Sequence, residues 1–252
     1  PDDVIVWVAY SDVQRAAGDA NSGVVTKLSG PDLEIREDVI TGLPRAIANH
    51  ATNNIEFGPD GRLYIAQGGN TGAGASNDRA TEFGPRPEQP LSAALLVADV
   101  KAPGFDGTCT SLIDPLGTSM DATGIAATDV PCDVTTYATG LRNTYDLAWH
   151  SNGRLYATDN GNGVTSTFPD LAPDDLSWSP GDGCLGPVNG AEVAPHNPGN
   201  RHDLLFDITE GDYLGHPNPS RGECVFGGGN PTSGDDYPIP LSSGETQAFK
   251  MD

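Results

Sequence analysis

The chain has 252 residues, 37% of them hydrophobic, with 32 glycines, 21 prolines and a net charge of −22. That acidity, with lysine only at Lys27, Lys101 and Lys250, excludes nucleic acid and anionic membrane surfaces as partners. The glycine and proline content argues for many short strands and turns, and no apolar run is long enough to span a bilayer.

In chain order, β-rich runs bounded by turn residues are predicted at 4–8, 23–28, 33–40, 54–57, 62–66, 94–100 and 134–138. Three more follow at 146–149, 154–157 and 204–208. Residues 12–20 form at most a short turn, and 102–131 read as a loop-rich insertion. Pro59-Asp60-Gly61 and Ser151-Asn152-Gly153 carry hairpin chemistry, because the glycine readily takes a positive φ. The last residues, from Glu245, show no evident strand. No charged-then-apolar leader opens the chain, which reads as mature or excised.

One segment occurs twice. Gly61-Arg62-Leu63-Tyr64 returns as Gly153-Arg154-Leu155-Tyr156, an offset of 153 − 61 = 92. Ile55-Glu56-Phe57 answers Leu147-Ala148-Trp149, and Gly69-Asn70 answers Gly161-Asn162. His50 and Arg142 stand at matching places upstream, so they leave equivalent loops on one rim. A repeat of this length is one supersecondary unit that must stack to bury its apolar face.

The repeat holds about four strands, the content of one antiparallel propeller blade. The fold class predicted is therefore all-β: a β-propeller of four-stranded blades in a single domain, 1–252. Ten or eleven strands give at most about three blades, fewer than closure requires. The expectation is an incomplete part of a propeller, truncated at its C-terminus and completed by missing blades or by self-association. Short strands overlooked near 165–200 and 225–245 would instead allow a small closed fold.

Cys109, Cys132, Cys184 and Cys224 lack the short spacings of zinc or thiol-redox sites. An even count in loop-like surroundings predicts two disulfides and a secreted, extracellular or periplasmic setting. Cys109–Cys132 and Cys184–Cys224 close the most local loops, although three connectivities remain open. The acidity has two readings, solubility in an extracellular or salty medium and calcium binding by Asp/Asn/Gly loops.

Three ordered motifs carry a family resemblance. They are His50-Ala51-Thr52-Asn53-Asn54 running on to Gly61-Arg62-Leu63-Tyr64, Thr139-Gly140-Leu141-Arg142-Asn143 running on to Gly161, and Asp203-Leu204-Leu205-Phe206 with Gly211-Asp212-Tyr213-Leu214-Gly215-His216-Pro217. Together they resemble the soluble glucose/sorbosone dehydrogenases, six-bladed propellers that use pyrroloquinoline quinone (PQQ). The resemblance implies that His50 is the base that removes a sugar hydroxyl proton as hydride moves to the quinone. It also implies that Arg142 stabilises negative charge on the quinone oxygens and that Asn143 contacts the cofactor. The carbonyls of Gly161 and Asn162 would hold Ca²⁺ against it. The partners implied are a sugar substrate and an external electron acceptor.

The chain departs from the family pattern in two places. Gly69 stands where the family has an aspartate that orients the imidazole. The basic residues that grip the cofactor belong to later blades, and Lys250 is the only lysine after Lys101. A second reading follows: a catalytically silent propeller module for carbohydrate binding or self-assembly. In that reading His50 is a loop histidine bonded to backbone, and Arg142 pins carbonyls at the rim. His196, His202 and His216, irregularly spaced among prolines, read as surface or loop-packing residues. Asn53-Asn54 read as satisfying turn backbone, and Phe57, Trp149 and Tyr156 as core. No hydrolase elbow, P-loop or dinucleotide fingerprint is present.

Overall fold

A computed structural model describes residues 4–12, 21–72, 86, 88–109, 132–161, 203–216, 218 and 221, and the backbone of strands 237–240 and 246–249. Among the described residues there is no helix, and every strand pair is antiparallel. The all-β expectation holds. Three meanders and a ribbon make up the sheets. The first joins β1 (Val6–Tyr10), β2 (Gly23–Ser29) and β3 (Ile35–Leu43). The second joins β4 (Thr52–Phe57), β5 (Leu63–Gln67), β6 (Ala94–Ala98) and β7 (Val134–Thr139). The third joins β8 (Thr144–Trp149), β9 (Leu155–Asp159) and β10 (Leu204–Ile208). The ribbon is β11 (Tyr237–Pro240) with β12 (Thr246–Phe249).

All ten predicted strands form, with no end shifted by more than three residues. The ribbon corrects the expectation of no strand near the end. Pro238 and Pro240 hide β11 from a sequence reading, since proline cannot donate to a ladder and is tolerated only on edges. Segments 13–20, 110–131 and 162–202 lie outside the described residues, as do Cys184 and Cys224.

The repeat is a repeat of structure down to its register. Thr52 faces Gln67 and Phe57 faces Leu63, while ninety-two positions on Thr144 faces Asp159 and Trp149 faces Leu155. Each pair carries a register shift just after its first residue. Both hairpins close with the same turn, Gly61 at φ 82° and Gly153 at φ 83°. The Gly58 and His150 N–H groups donate across the turns to Arg62 O and Arg154 O, both at 2.9 Å. An αL glycine at the third loop position is what a three-residue hairpin requires.

Packing follows from alternation. Successive side chains of a strand face opposite ways. On one face of the second sheet, Leu63, Ile65, Ala94, Leu96, Ala98 and Val134 join Val25, Ile40 and Leu43 of the first sheet. On the other, Tyr64, Ala66, Leu95, Val97, Tyr137 and Ala138 join Leu147, Leu155, Ala157 and Ile208 of the third. The middle sheet is thus covered on both sides, which is why β6 and the first four residues of β5 read as unbroken apolar runs. Tyr64 meets Tyr137 and Trp149 edge to face, with ring centroids 5.0 and 5.2 Å apart. Phe57 and Trp149 are partly buried against these cores as expected, whereas Tyr156 lies outside both, edge-on to His150.

A strap from the insertion lies along β3. Thr41 N donates to Gly107 O and Cys109 N to Thr41 O, each at 2.9 Å. A Cβ at Gly107 would stand 1.9 Å from Val39 O, so only glycine permits this approach. Cys109 bonds Cys132, fastening the strap to the entry of β7, as the local-loop argument predicted. The bridge spans 23 residues. Replacing both cysteines with alanine is expected to lower unfolding free energy by about 3 kcal/mol, measured by urea denaturation under oxidising conditions.

Candidate functional site

His50 lies two residues before β4 and Arg142 two before β8. The two loops therefore leave the same rim of adjacent sheets. Gly68 and Gly69, just after β5, run between them. Gly68 N donates to Ala51 O at 3.0 Å, and Gly69 N donates to Arg142 O at 2.8 Å. A Cβ at Gly68 would lie 2.6 Å from Asn143 Oδ1 and 2.7 Å from His50 Cβ, so glycine lets the three segments close up.

His50 is 2% exposed, and its Nδ1 lies 2.9 Å from Gly69 O. A carbonyl only accepts, so Nδ1 carries the proton and the neutral ring keeps its lone pair on Nε2. Burial holds the pKa of His50 well below the ordinary value. The Arg142 charge and, less strongly, His216 push the same way, against the Gly69 carbonyl. The imidazole is therefore neutral at physiological pH. The missing aspartate at position 69 does not leave the ring unheld, because the backbone of the same residue orients it.

Arg142 is 6% exposed and its Nε donates to Gly72 O at 2.9 Å. The carboxylate of Asp159 accepts from Arg142 N at 2.9 Å and Asn143 N at 2.6 Å. Burial pushes Asp159 up to about 7, opposed by those N–H groups and the Arg142 charge. Asn143 is engaged at both ends of its amide: Oδ1 accepts from Asn53 Nδ2 at 2.9 Å and Nδ2 donates to Asn160 Oδ1 at 3.0 Å. Asn53 also donates to Thr144 O at 2.8 Å, tying the second sheet to the third instead of satisfying a local turn.

Gly161 follows β9 on the same rim, and its N–H donates to Asp203 Oδ1 at 3.1 Å. Asn162 lies outside the described residues. An open cleft of about 660 Å³ adjoins this end of the site, with Asn49, Tyr145, Asp159, Asn160, Asp203 and Leu205 in its wall. Among the described residues no group of three or more His, Cys, Asp or Glu side chains is arranged to hold a metal ion. No helix of the described residues is long and apolar enough to cross a membrane.

The chain matches no known family profile and no curated protein. It is similar in structure to a candidate oxidoreductase (glucose dehydrogenase) from Thermus thermophilus, at 20% identity and a TM-score of 0.44. The match covers 84% of this chain and 47% of that one, so the chain spans about half the length of that protein.

The sequence reading put His50 and Arg142 on one rim; the structure has both there, with Asn143 and Gly161 next to them in the chain and across the rim. It missed Asp159, Glu88 and the depth of His216, which is fully buried. Asp159 was within reach, since it repeats the position of Gln67 (159 − 67 = 92), whose buried side chain donates to Pro44 O at 2.8 Å. Glu88 stands in an irregular segment with no periodic signal.

Because the folded pKa of His50 is depressed, the unfolded chain takes up the proton first as pH falls below about 6.5. Stability from this group is thus lost on acidification and regained as pH rises. In urea titrations below that pH, His50→Gln is expected to flatten the rise of unfolding free energy with pH by up to about 1.4 kcal/mol per unit. Asp159, shifted upward, acts in the opposite sense in both proteins and cancels in the comparison.

Proposed function

We propose that the chain is part of a secreted, glucose/sorbosone dehydrogenase-like β-propeller that oxidises a sugar hydroxyl using PQQ and Ca²⁺. In this reading residues 1–252 form one domain of about three blades, completed by further chain or another copy. The observation that carries it is the Gly69 residue shared by two repeat-related loops. Its carbonyl accepts from His50 and its N–H donates to the Arg142 backbone, which holds an imidazole and a guanidinium at one rim. The three ordered motifs support the same assignment.

The residues fit the cofactor in kind. Arg142 is a fixed positive charge for an anionic quinone, and an open cleft walled in part by Asn49, Asp159 and Asn160 adjoins that end of the rim. Arg142 and Asn143 would hold the quinone, and the carbonyls of Gly161 and Asn162 the calcium. When bound, PQQ supplies the two-electron oxidant and passes electrons to an external acceptor. The chain's own residues do the rest. His50 takes the hydroxyl proton on Nε2 while Gly69 O keeps Nδ1 protonated. The Arg142 charge disfavours a second proton on the ring, so the base stays available across neutral pH.

Full chain supplied with PQQ and Ca²⁺ is expected to reduce a redox dye with at least one aldose or sugar alcohol. His50→Ala is expected to lower kcat by at least about 100-fold. Absence of turnover across a sugar panel would overturn the assignment.

A second reading, assembly through open edges, is favoured by β1. This edge strand and the two residues before it expose Val4, Ile5, Val8 and Tyr10. Light scattering is expected to give a mass above 26 kDa in that case. A strict monomer would count against it.

A further inference from the structure

Behind the His50 loop lies a fully buried carboxylate that nothing above employs. Glu88 stands in the segment leading into β6, and its two oxygens accept five hydrogen bonds. Asn70 N reaches Oε2 at 2.9 Å, Thr71 N and Thr71 Oγ1 reach Oε1 at 2.9 and 2.6 Å, and Ser92 Oγ also donates to Oε2. His216 Nε2, arriving from the segment after β10, donates to Oε1 at 3.0 Å. Burial alone would raise the pKa of Glu88, but the bonds from His216, Ser92 and Thr71 outweigh it and hold the group near 2. It is therefore an ionised carboxylate buried among its donors.

Its first contact is the informative one. Asn70 N–H and Gly69 C=O belong to the same peptide unit. One end of that unit donates to Glu88 and the other accepts from His50 Nδ1. Peptide groups are polarisable, and a negative charge at the N–H end increases the negative charge on the carbonyl oxygen. Glu88 Oε1 would also lie 3.0 Å from a Cβ placed on Gly69, so the carboxylate fills the space where a side chain at 69 would begin.

We propose that Glu88 is a positioning residue for His50, acting through the Gly69–Asn70 peptide as a carboxylate–peptide–imidazole relay, with His216 anchoring its far side. The relay fixes the orientation of the ring and its Nδ1–H tautomer, and it strengthens Nε2 as a proton acceptor. No proton passes through the peptide. The catalytic meaning of this device rests on the base role assigned to His50 above, whereas the physical coupling does not.

The test reads the ring directly, on the full chain without cofactor or substrate. Nitrogen-15 and proton NMR of His50 should show an Nδ1–H proton that exchanges slowly. Glu88→Gln is expected to speed its exchange about fivefold to tenfold, the loss of roughly one hydrogen bond, and to move the Nδ1 resonance. Leu96→Ala, a core truncation, is expected to lower stability and leave the His50 resonances in place. Should Glu88→Gln not fold, Thr71→Val removes only the hydroxyl bond and is expected to move the same resonance less, in the same direction. Unchanged His50 signals in the variant that folds would overturn the relay. These readouts need no turnover, so a chain that oxidises no sugar yet shows the coupling would refute the dehydrogenase assignment and leave the relay standing.

Discussion

The architecture depends on one sheet being buried on both faces. β5 and β6 present alternate side chains to two different cores, so neither strand has a solvent side to accommodate polar residues. Each core is completed by a neighbouring sheet, and removing either neighbour would expose an apolar face. Loop geometry is subordinate to this. The stack brings the starts of β4 and β8 side by side, and the residues just before them inherit that proximity. His50 and Arg142 are close because the sheets beneath them must be.

Burial at the rim then sets the chemistry. Groups excluded from water must find partners, and there the partners are mostly backbone. Asp159 takes two N–H groups from the Arg142 loop, and Gly69 serves both neighbouring loops. Arg45 is likewise directed to the Ala46 and Ile47 carbonyls, and Arg86 to those of Arg45 and Ala46. These guanidiniums hold the loop preceding His50 in shape. A rim built this way keeps its polar groups rigid, a condition for any site that relies on preorganised charge.

Strands were legible in the sequence where apolar alternation met turn residues, and the ninety-two-residue echo correctly announced matching registers. β11 was not legible, because its two prolines argue against a strand unless its edge position is known. The site was legible in outline only. Reading side chains made Gly69 an absence, whereas the atom that orients His50 is a carbonyl that every residue type carries. Glu88 was invisible for a related reason: its importance comes from five donors gathered from three separate segments. Asn53 looked like a local turn residue and instead reaches another sheet, a distinction that sequence separation cannot convey.

The crowding around Gly69 has a corollary for substitution. A side chain introduced there would meet the Glu88 carboxylate, the Arg142 carbonyl and Ala93 within 3.0 to 3.2 Å. A side chain at 69 therefore requires these neighbours to give by a few tenths of an ångström, so a substitution there disturbs the Glu88 carboxylate.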